Sequence, residues 1–202
     1  IIEKHYSKPL DQLVNENLYQ SLGLATMGFL PKSRFKKERI VPTEKDDYFR
    51  DQLLVGDVHD MGAAMLGGIG GHAGLFSNAN DLAILMQMYL QNGSYADKQY
   101  FKSQTIKEFT KCQFCQDENR RGAGFDKPAL PKEEGGPTCQ CVSFSSFGHS
   151  GFTGTLAWAD PETDIVFVFL SNRIHPTSDN KKLLDMDVRT NIMQVIFDAI
   201  EK

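Results

Sequence analysis

The sequence lacks the features that place a protein in a membrane or on a nucleic acid. Its longest uninterrupted apolar run, at residues 165–170, has six residues, whereas a helix that crosses a bilayer needs roughly 20. The 26 acidic residues outnumber the 22 basic ones, which gives a formal net charge of −4, and the sequence has no long basic run. We therefore expect no membrane span and no nucleic-acid partner.

Two further absences concern the beginning of the chain. It has neither an initiator methionine nor a signal peptide, and the first residues, IIEKHYSKPLDQLV, are typical of the interior of a protein. With 202 residues, 41% of them hydrophobic and 24% charged, the composition is that of an ordinary globular domain. We expect a fragment, in which residues 1–202 are the C-terminal part of one domain.

Helical patterns dominate the chain before residue 140. Ser7 and Pro9 precede apolar residues at helical spacing, and Asn78 or Asn80 precedes a second such pattern at 81–90. The last helix is predicted near the C-terminus, and its apolar face should cover a sheet with Val188, Ile192, Val195 and Ile196. Residues 30–47 are polar and bounded by prolines, which indicates a long surface connection.

The strands are predicted late in the chain. Residues 154–159 alternate between apolar and polar, DPETD at 160–164 forms a turn, and IVFVFL at 165–170 is apolar on both faces. We expect this last strand to be buried and, in the complete domain, paired on both sides. In this chain we expect an unpaired edge, because the N-terminal strands of the domain would be missing. The prediction is an α+β fold, in which residues 1–140 form a mainly helical lobe with loops, and 141–202 form the sheet hairpin and the closing helix.

Two glycine-rich segments are candidates for function. Residues 67–74 lack the strand-then-helix context of a dinucleotide loop, so we expect no nucleotide cofactor. Close backbone packing beside a groove accounts for these glycines, with His72 and Gly74 as candidate binding residues. The second segment, Gly148-His149-Ser150-Gly151, opens the predicted hairpin. Its glycines let a substrate lie along the strand edge, where backbone N–H groups can face a developing oxyanion.

Three longer segments carry a family resemblance: GGHAGLFSNANDLA, RRGAGFDKP and FGHSGFTGTLAWADPETDIVFVFLSNR. With the closing amphipathic helix, they resemble the C-terminal half of a serine β-lactamase-like protein, of the superfamily of class C β-lactamases, penicillin-binding proteins and related esterases. The similarity covers essentially the whole chain. It is greatest to the β-lactamase-like regions that some bacterial envelope proteins carry behind a family 3 glycoside hydrolase domain. It implies an antiparallel sheet packed against helices beside a mostly helical lobe.

The site of this superfamily has three parts: a Ser-x-x-Lys nucleophile, a Tyr-x-Asn or Ser-x-Asn element, and a Lys-Thr-Gly strand. Only the third has a match, as His149-Ser150-Gly151. The resemblance implies that His149 and Ser150 contact the anionic or carbonyl end of a substrate and that the N–H of Phe152 is an oxyanion donor. Because an unperturbed histidine, with a pKa of about 6.5, is mostly neutral at pH 7, we expect weaker binding of a penicillin-type carboxylate and a preference for ester or peptide substrates.

The first two parts of the site have no acceptable match. Ser-x-x-Lys occurs at residues 33–36, in the charged connection, and at 178–181, after the His-Ser-Gly strand and so in the wrong order. We interpret both as coincidences. No tyrosine is followed by Asn two residues later. We predict that the nucleophile lies upstream of Ile1, that the isolated chain forms no acyl-enzyme, and that it self-associates or needs the upstream half of its domain.

Four cysteines lie in two pairs, Cys112 with Cys115 and Cys139 with Cys141. Four thiolates can hold zinc, although Cys-x-Cys is tight for the usual zinc knuckle. An exported protein favours disulfides, and the resemblance implies export. Unremarkable thiols, disulfides and a zinc site stay open. We predict a structural role for the cluster, which would close the loop between the two pairs.

Two functions stay open at this point. In the first, the complete protein is a serine acyl hydrolase of the esterase, peptidase or β-lactamase type. It would act without a cofactor on cell-wall-related or ester substrates in the bacterial periplasm or cell envelope. In the second, the β-lactamase-like region has lost catalysis and is a binding or scaffolding module of a β-N-acetylglucosaminidase-type glycosidase. The second function makes a fused glycoside hydrolase domain a partner of this chain.

Overall fold

The computed structural model describes residues 1–131, 133 and 135–200 and has an α+β fold with antiparallel sheets and a C-terminal helix. Its α-helices are α1 (Ile2–Tyr6), α2 (Leu10–Val14), α3 (Met61–Met65), α4 (Ala79–Leu90), α5 (Ser103–Thr110), α6 (Lys182–Asp185) and α7 (Val188–Ile200). Its strands are β1 (Pro42–Asp46), β2 (Gln52–Val55), β3 (Ser94–Tyr95), β4 (Lys98–Gln99), β5 (Phe147–Ser150), β6 (Leu156–Asp160) and β7 (Ile165–Phe169). None of the helices in the described ranges is long and apolar enough to cross a membrane.

The chain divides into two compact units. The first consists of Ile1–Leu82 with Asn172–Asn180, and the second contains Ala83–Ser171 and the described residues from Lys181 onward. The sequence instead predicted a boundary at residue 140, between a helical lobe and the sheet, within one domain. The two compact units do not test that boundary, which stays a prediction.

The β1–β2 hairpin lies in the first unit, where the sequence predicted a surface connection. Asp46 pairs with Gln52 across the hairpin, and Glu44 and Asp46 are only 2% and 1% exposed. The buried charges have partners, because Arg50 Nε donates to Asp46 Oδ2 at 2.7 Å and the Tyr48 hydroxyl donates to Glu44 Oε1 at 3.1 Å. The prediction was therefore wrong for β1, since a polar sequence does not distinguish a surface loop from a strand whose charges are paired.

Asp46 illustrates how hydrogen bonds outweigh burial. Burial by itself raises the pKa of Asp46, but the hydrogen bonds that the carboxylate accepts hold the pKa at about 2, below the usual 3.8. Besides Arg50, the N–H groups of Phe49 and Tyr48 donate to Oδ1 at 2.9 and 3.2 Å. Arg50 also donates to the carbonyl oxygen of Val58 at 2.8 Å. It thereby ties the hairpin to the segment that leads into α3.

The second unit contains a three-stranded antiparallel sheet of order β5-β6-β7. Leu156, Trp158 and Phe167 of this sheet form a core with Met193 and Phe197 of α7, and none of the five is more than 8% exposed. Burying a large apolar side chain contributes roughly 1.5–3 kcal/mol, so this cluster holds the helix on the sheet. The predicted hairpin is confirmed, because Asp160 and Ile165 pair on either side of the 161–164 turn.

Two expectations about this sheet were wrong. Four of the five residues of β7 are half-buried rather than buried. Among the described strands β7 pairs only with β6, which agrees with the unpaired edge expected for this chain. Helix α7 covers the sheet with Met193 and Phe197 instead of the predicted face. The residues predicted to be covered are half-buried or exposed: Val188, Ile192, Val195 and Ile196. Because α7 is apolar on more than one face, spacing alone did not identify the one that meets the sheet.

The helix boundaries test the capping residues that the sequence predicted. Asn78 caps α4 as predicted, since its Oδ1 accepts the N–H of Asp81 at 2.8 Å. The chain leaves α4 through Asn92 and Gly93, both with positive φ. The cap predicted at Ser7 was wrong, because Ser7 ends α1 in a left-handed conformation and Pro9 precedes α2.

Candidate functional site

Strand β5 carries the segment Gly148-His149-Ser150-Gly151 from the core to the surface. Gly148 pairs with Trp158 of β6 on one side. On the other side it exchanges two backbone hydrogen bonds with Asp126, of 2.7 and 3.2 Å. A Cβ atom on Gly148 would lie 2.2 Å from the carbonyl oxygen of Ala157 and 2.4 Å from the Trp158 ring. Glycine is therefore required here, because backbone and indole occupy the space on that side of the strand.

His149 is exposed, and its two ring nitrogens have different partners. Nδ1 lies 2.8 Å from the carbonyl oxygen of Ser150. Because a carbonyl only accepts, Nδ1 carries the proton of the ring. With the proton on Nδ1, Nε2 can accept a hydrogen bond, and Nη1 of Arg121 lies 3.3 Å from it. Since a guanidinium is always charged in proteins, a fixed positive charge stands beside the histidine.

Asp126 holds the two arginines that precede it. Its carboxylate is 3% exposed, Arg120 Nε donates to Oδ1 at 2.9 Å, and Arg121 Nη1 lies 3.2 Å from Oδ2. Arg120 also forms an ion pair with Glu133 at 3.0 Å. Burial lowers the pKa of Arg120, but the hydrogen bonds and charges of Asp126 and Glu133 raise it by more. The Arg121 side chain stays 47% exposed, so its charge is accessible to a solute.

Sequence reasoning missed Arg121 and Asp126 as residues of this site. Both lie in RRGAGFDKP, one of the segments that carry the resemblance, but Arg121 is 28 positions before His149 in the chain. Two features of the sequence could have indicated Arg121: an arginine pair in a segment that carries the resemblance, and a strand motif with histidine in place of lysine. The sequence alone did not show that the two segments meet.

Ser150, Gly151 and Phe152 follow His149 at the end of β5. Ser150 pairs with Leu156 and is half-buried. The N–H of Gly151 donates to the carbonyl oxygen of Thr155 at 2.8 Å, which closes the turn. Phe152 lies in that turn with 59% of its surface exposed. The structure thus places these residues together with His149 at one end of the sheet, and their roles in binding and as an oxyanion donor stay predictions.

The other two candidate binding residues, His72 and Gly74, lie in the first unit. His72 Nε2 is 3.0 Å from Asp60 Oδ1, which also accepts the N–H of Ala63 and so caps α3. The N–H of Ala63 and then His72 lower the pKa of Asp60. Gly74 has a φ of +114°, and a Cβ there would lie 2.3 Å from the carbonyl oxygen of Gly68. Both residues therefore shape the glycine loop, and their role in binding stays a prediction.

The cysteines form two disulfides, Cys112–Cys115 and Cys139–Cys141. Each disulfide lies within one motif, so the expected closure of the loop between the two pairs is wrong. Sequence spacing could not settle the pairing, because four cysteines allow three connectivities. Across the part of the chain that the structure describes, no group of three or more His, Cys, Asp or Glu side chains is placed to hold a metal ion.

Both Ser-x-x-Lys matches lie at the surface. Ser33 and Lys36 are exposed, and the Ser33 hydroxyl donates to the carbonyl oxygen of Leu30 at 2.8 Å. Ser178 and Lys181 are exposed as well. A lysine that activates a serine needs a desolvated amine, and neither exposed pair provides one. The interpretation of both matches as coincidences agrees with this geometry.

One lysine is buried without having been singled out in the sequence. Lys127 is 2% exposed, and its Nζ donates to the carbonyl oxygen of Ser145 at 2.9 Å. Burial lowers the pKa of Lys127 to about 8, and the charge of Asp160 opposes this only in part. The amine lies under the segment that leads to β5, where it supports the strand rather than facing solvent.

Comparison with known sequences gives a family match over nearly the whole chain. The sequence model of the family described as Beta-lactamase matches residues 1–189. A protein of Escherichia coli (strain K12) described as "Putative D-alanyl-D-alanine carboxypeptidase" is 36% identical over 200 residues, covering 90% of this chain and 44% of its own length. A Salmonella typhi protein of the same description is 34% identical over 201 residues, covering 91% and 44%. The chain thus spans about half the length of these curated relatives.

Solved structures show the same fold at low sequence identity. A β-lactamase from Mycobacterium bovis matches with a TM-score of 0.63 at 18% identity, over 98% of this chain and 59% of its own. A mutant of simvastatin synthase from Aspergillus terreus matches with a TM-score of 0.63 at 16% identity, over 99% and 52%. A penicillin-binding protein homologue from Caulobacter crescentus matches with a TM-score of 0.55 at 20% identity, over 84% and 48%.

Proposed function

The chain belongs to the beta-lactamase family, and on that premise we propose that it is the substrate-binding part of a serine acyl hydrolase of the carboxypeptidase type. The substrate would be a peptide that ends in a free carboxylate, of the D-alanyl-D-alanine class named in the descriptions of the two bacterial relatives. This choice refines the broader expectation from the sequence, which left ester, peptide and β-lactam substrates open.

The observation that carries the proposal is the guanidinium of Arg121, 3.3 Å from His149 Nε2. The sequence suggested that histidine in place of lysine weakens the binding of a carboxylate. Arg121 supplies a positive charge that the histidine does not, and a guanidinium can bind both oxygens of a carboxylate. A site for the charged end of a peptide is the chemistry that this arrangement favours.

Each residue of the site described above then has a role in acyl transfer. Arg121 and the Ser150 hydroxyl bind the terminal carboxylate. His149, whose Nδ1–H is held by the Ser150 carbonyl at 2.8 Å, keeps its Nε2 directed to Arg121. The substrate backbone lies along β5 beyond Gly148, and the N–H of Phe152 stabilises the oxyanion that forms when the peptide carbonyl is attacked. Asp126 holds Arg121 in place through its buried carboxylate.

The nucleophile is not assigned to any serine of this chain. Both Ser-x-x-Lys matches are exposed, and the chain spans 44% of the length of its Escherichia coli relative. We propose that the attacking serine and its base belong to the part of the protein that corresponds to the remaining length of these relatives. The activity is therefore a proposal about the protein that carries this chain.

Arg121→Ala in that protein tests the proposal. The substrates are a short peptide ending in D-alanyl-D-alanine and the same peptide with its C-terminus amidated. Losing a charge-assisted hydrogen-bonded pair costs about 1.5–3 kcal/mol, so kcat/KM for the acid should fall roughly 10- to 100-fold. The amide should change much less, because it lacks the charge that Arg121 binds. Arg39→Ala, at an exposed position of the first unit, is the matched control.

Two results would contradict the proposal. Equal losses for the acid and the amide would mean that Arg121 supports the fold rather than the carboxylate. No turnover of the acid by the unsubstituted protein would exclude the carboxypeptidase activity itself. The second function predicted from the sequence, a non-catalytic module of a glycosidase, would then be tested by the binding of cell-wall glycopeptide without turnover. Neither relative reported above is described as a glycosidase.

We also propose that the protein works in the bacterial cell envelope. The support is the pairing of all four cysteines in two disulfides, because disulfides persist in oxidising compartments and are rare in the cytosol. Cell fractionation followed by thiol alkylation tests this. The protein should appear in the envelope fraction with its cysteines protected, and recovery in the cytosol with free thiols would refute the placement.

A further inference from the structure

The segment 112–121, called here the cysteine hairpin, connects the Cys112–Cys115 disulfide to Arg121. The N–H of Gln113 donates to the carbonyl oxygen of Arg121 at 2.9 Å. The N–H of Asn119 donates to the carbonyl oxygen of Phe114 at 3.2 Å, and these two residues form an antiparallel bridge. The disulfide lies within the first arm of this hairpin, and Arg121 ends the second arm.

Side-chain contacts make the connection tighter. Cys112 Sγ lies 3.6 Å from the carbonyl oxygen of Asn119, and Asn119 Oδ1 accepts the N–H of Arg121 at 3.1 Å. Asn119 and the backbone bond between the arms therefore connect the disulfide to the backbone of Arg121. A change in the first arm would act on the backbone of Arg121, while Asp126 holds the guanidinium.

The two disulfides of the protein differ in their surroundings. Cys112 and Cys115 are half-buried and flank Phe114, which is 55% exposed. Cys139 is 9% exposed and packs in the core with Trp158 and Phe167, and its partner Cys141 is half-buried and packs against the same core. A disulfide exchanges only when a thiolate can reach one of its sulfurs. Neither cysteine of the hairpin disulfide is buried in the core, so it is the more accessible of the two.

The hairpin disulfide is also poorly suited to act as a staple. It closes a loop of only four residues, from Cys112 to Cys115, and the constraint that a disulfide places on the unfolded chain grows with the length of the loop. Its effect is local, on the shape of the first arm. Because the hairpin joins this local constraint to Arg121, we expect the disulfide to affect the position of the arginine more than the stability of the fold.

We infer that Cys112–Cys115 is a reversible thiol–disulfide site, and that its reduction loosens Arg121 from His149 and weakens the binding of the substrate carboxylate. The second half of the inference rests on the proposed function of Arg121. The reductant is of the dithiol class. Control of this kind would link hydrolysis to the redox state of the compartment in which the protein works.

The exchange is balanced in two steps. A thiolate of the dithiol attacks one sulfur of the disulfide, forms a mixed disulfide with that cysteine, and releases the other cysteine as a thiolate, which takes up a proton. The second thiol of the reductant then attacks the mixed disulfide and releases the remaining cysteine as a thiol. Two electrons pass to the protein, and the reductant leaves as its own disulfide.

The chemical half of the inference is tested by stepwise reduction. The native protein is incubated with increasing dithiothreitol, alkylated, and digested for mass spectrometry. Cys112 and Cys115 should be alkylated at a lower concentration than Cys139 and Cys141, and amide hydrogen exchange of residues 112–121 should become faster at the same step. Simultaneous alkylation of all four cysteines, or prior alkylation of the core pair, would overturn it. Neither readout requires enzymatic activity.

The functional half is tested with two double variants, Cys112→Ser with Cys115→Ser and, as the matched control, Cys139→Ser with Cys141→Ser. The first should raise KM for the D-alanyl-D-alanine peptide roughly three- to tenfold, because apparent affinity falls with the fraction of molecules in which Arg121 is in place. KM for the amidated peptide should not change in either variant. An unchanged KM for the acid in the hairpin variant would overturn the regulatory role.

The result of Arg121→Ala separates the two proposals. If that substitution lowers kcat/KM for the acid more than for the amide and the hairpin variant leaves KM for the acid unchanged, the regulatory half of the redox inference fails and the proposed function stands. If Arg121→Ala lowers kcat/KM for the acid no more than for the amide, the proposed function fails, whatever the cysteines do. Regulation of carboxylate binding then fails with it, whereas early alkylation of Cys112 and Cys115 would still establish the exchange site.

Discussion

Replacing Lys127 tests the packing beneath the site strand through the stability of the fold. Lys127 is 2% exposed, and its Nζ donates to the carbonyl oxygen of Ser145 at 2.9 Å. Burial lowers the pKa of Lys127 from 10.5 to about 8, against the weaker opposite effect of Asp160. The folded protein therefore holds an ammonium group that water solvates better in the unfolded chain.

The sign of the pH dependence follows from these two values. Below pH 8 both states hold the proton, and above pH 10.5 neither does. Between them the unfolded state binds more protons, so raising the pH favours the folded state. The difference between 10.5 and about 8 corresponds to about 3 kcal/mol over the whole interval. The lowered pKa is thus a cost at neutral pH that disappears in alkali.

Lys127→Met removes this cost together with the hydrogen bond to Ser145. A hydrogen bond contributes about 1 kcal/mol, so the variant should be more stable than the parent by about 2 kcal/mol at pH 7 and less stable by about 1 kcal/mol above pH 10.5. The order of stability should reverse within the interval. A reversal distinguishes removal of a buried charge from any improvement in packing, which would not depend on pH.

Urea unfolding at pH 7, 8, 9 and 10 measures the effect, with the fluorescence of Trp158 as the probe. Trp158 is the one tryptophan of the chain and is 1% exposed, so it reports directly on the core beside β5. Lys107→Met, at an exposed position of α5, is the matched control and should show no such change. A constant difference between parent and Lys127→Met across the four pH values would refute the reasoning.

Three further outcomes are expected. Gly148→Ala should lower the free energy of unfolding by about 1–3 kcal/mol or more, because its Cβ would lie 2.2 Å from a backbone oxygen. Gly71→Ala, where a Cβ would have no atom within 4 Å, is the control and should leave the free energy of unfolding unchanged. Thermal unfolding of the two variants measures the difference. Asp46, with a pKa of about 2, should stabilise the fold above pH 4 and lose this effect as pH falls through 2, so circular dichroism should show a shallower acid transition for Asp46→Asn. Val195→Lys with Ile196→Lys should reduce self-association in light scattering, because both side chains are exposed on α7; unchanged scattering would place the contact elsewhere.

The sheet of the second unit could be predicted because its signals are local. Alternation at 154–159, a turn of Asp, Pro, Glu and Thr, and an apolar run at 165–170 lie within one stretch of sequence, and the pairing of β6 with β7 follows from that turn. The cap of α4 at Asn78 is local as well. The local pattern predicted His149, Ser150 and Gly151 only as the opening of this hairpin. The family resemblance indicated a strand there, and the structure has the separate strand β5 at Phe147–Ser150.

The errors occurred where distant residues decide the outcome. Strand β1 is polar, and it is buried because Arg50 pairs with Asp46, an arrangement that composition cannot reveal. In α7, two apolar faces compete for the sheet, and the packing of Met193 and Phe197 against Trp158 decides between them. The pairing of the cysteines within each motif likewise depends on the path of the chain between them.

Arg121 is the residue of the site that the sequence did not identify, and a histidine at position 149 is compatible with its charge. A lysine there would place a second permanent cation about as close to the guanidinium as His149 Nε2, which lies 3.3 Å away. Two like charges at that distance repel by about 1 kcal/mol in water and about 5 kcal/mol at an effective dielectric of 20. A neutral imidazole instead offers Nε2 as an acceptor. Histidine in place of lysine therefore permits the positive charge to come from another segment, and the strand motif can be interpreted only together with the arginine that Asp126 holds beside it.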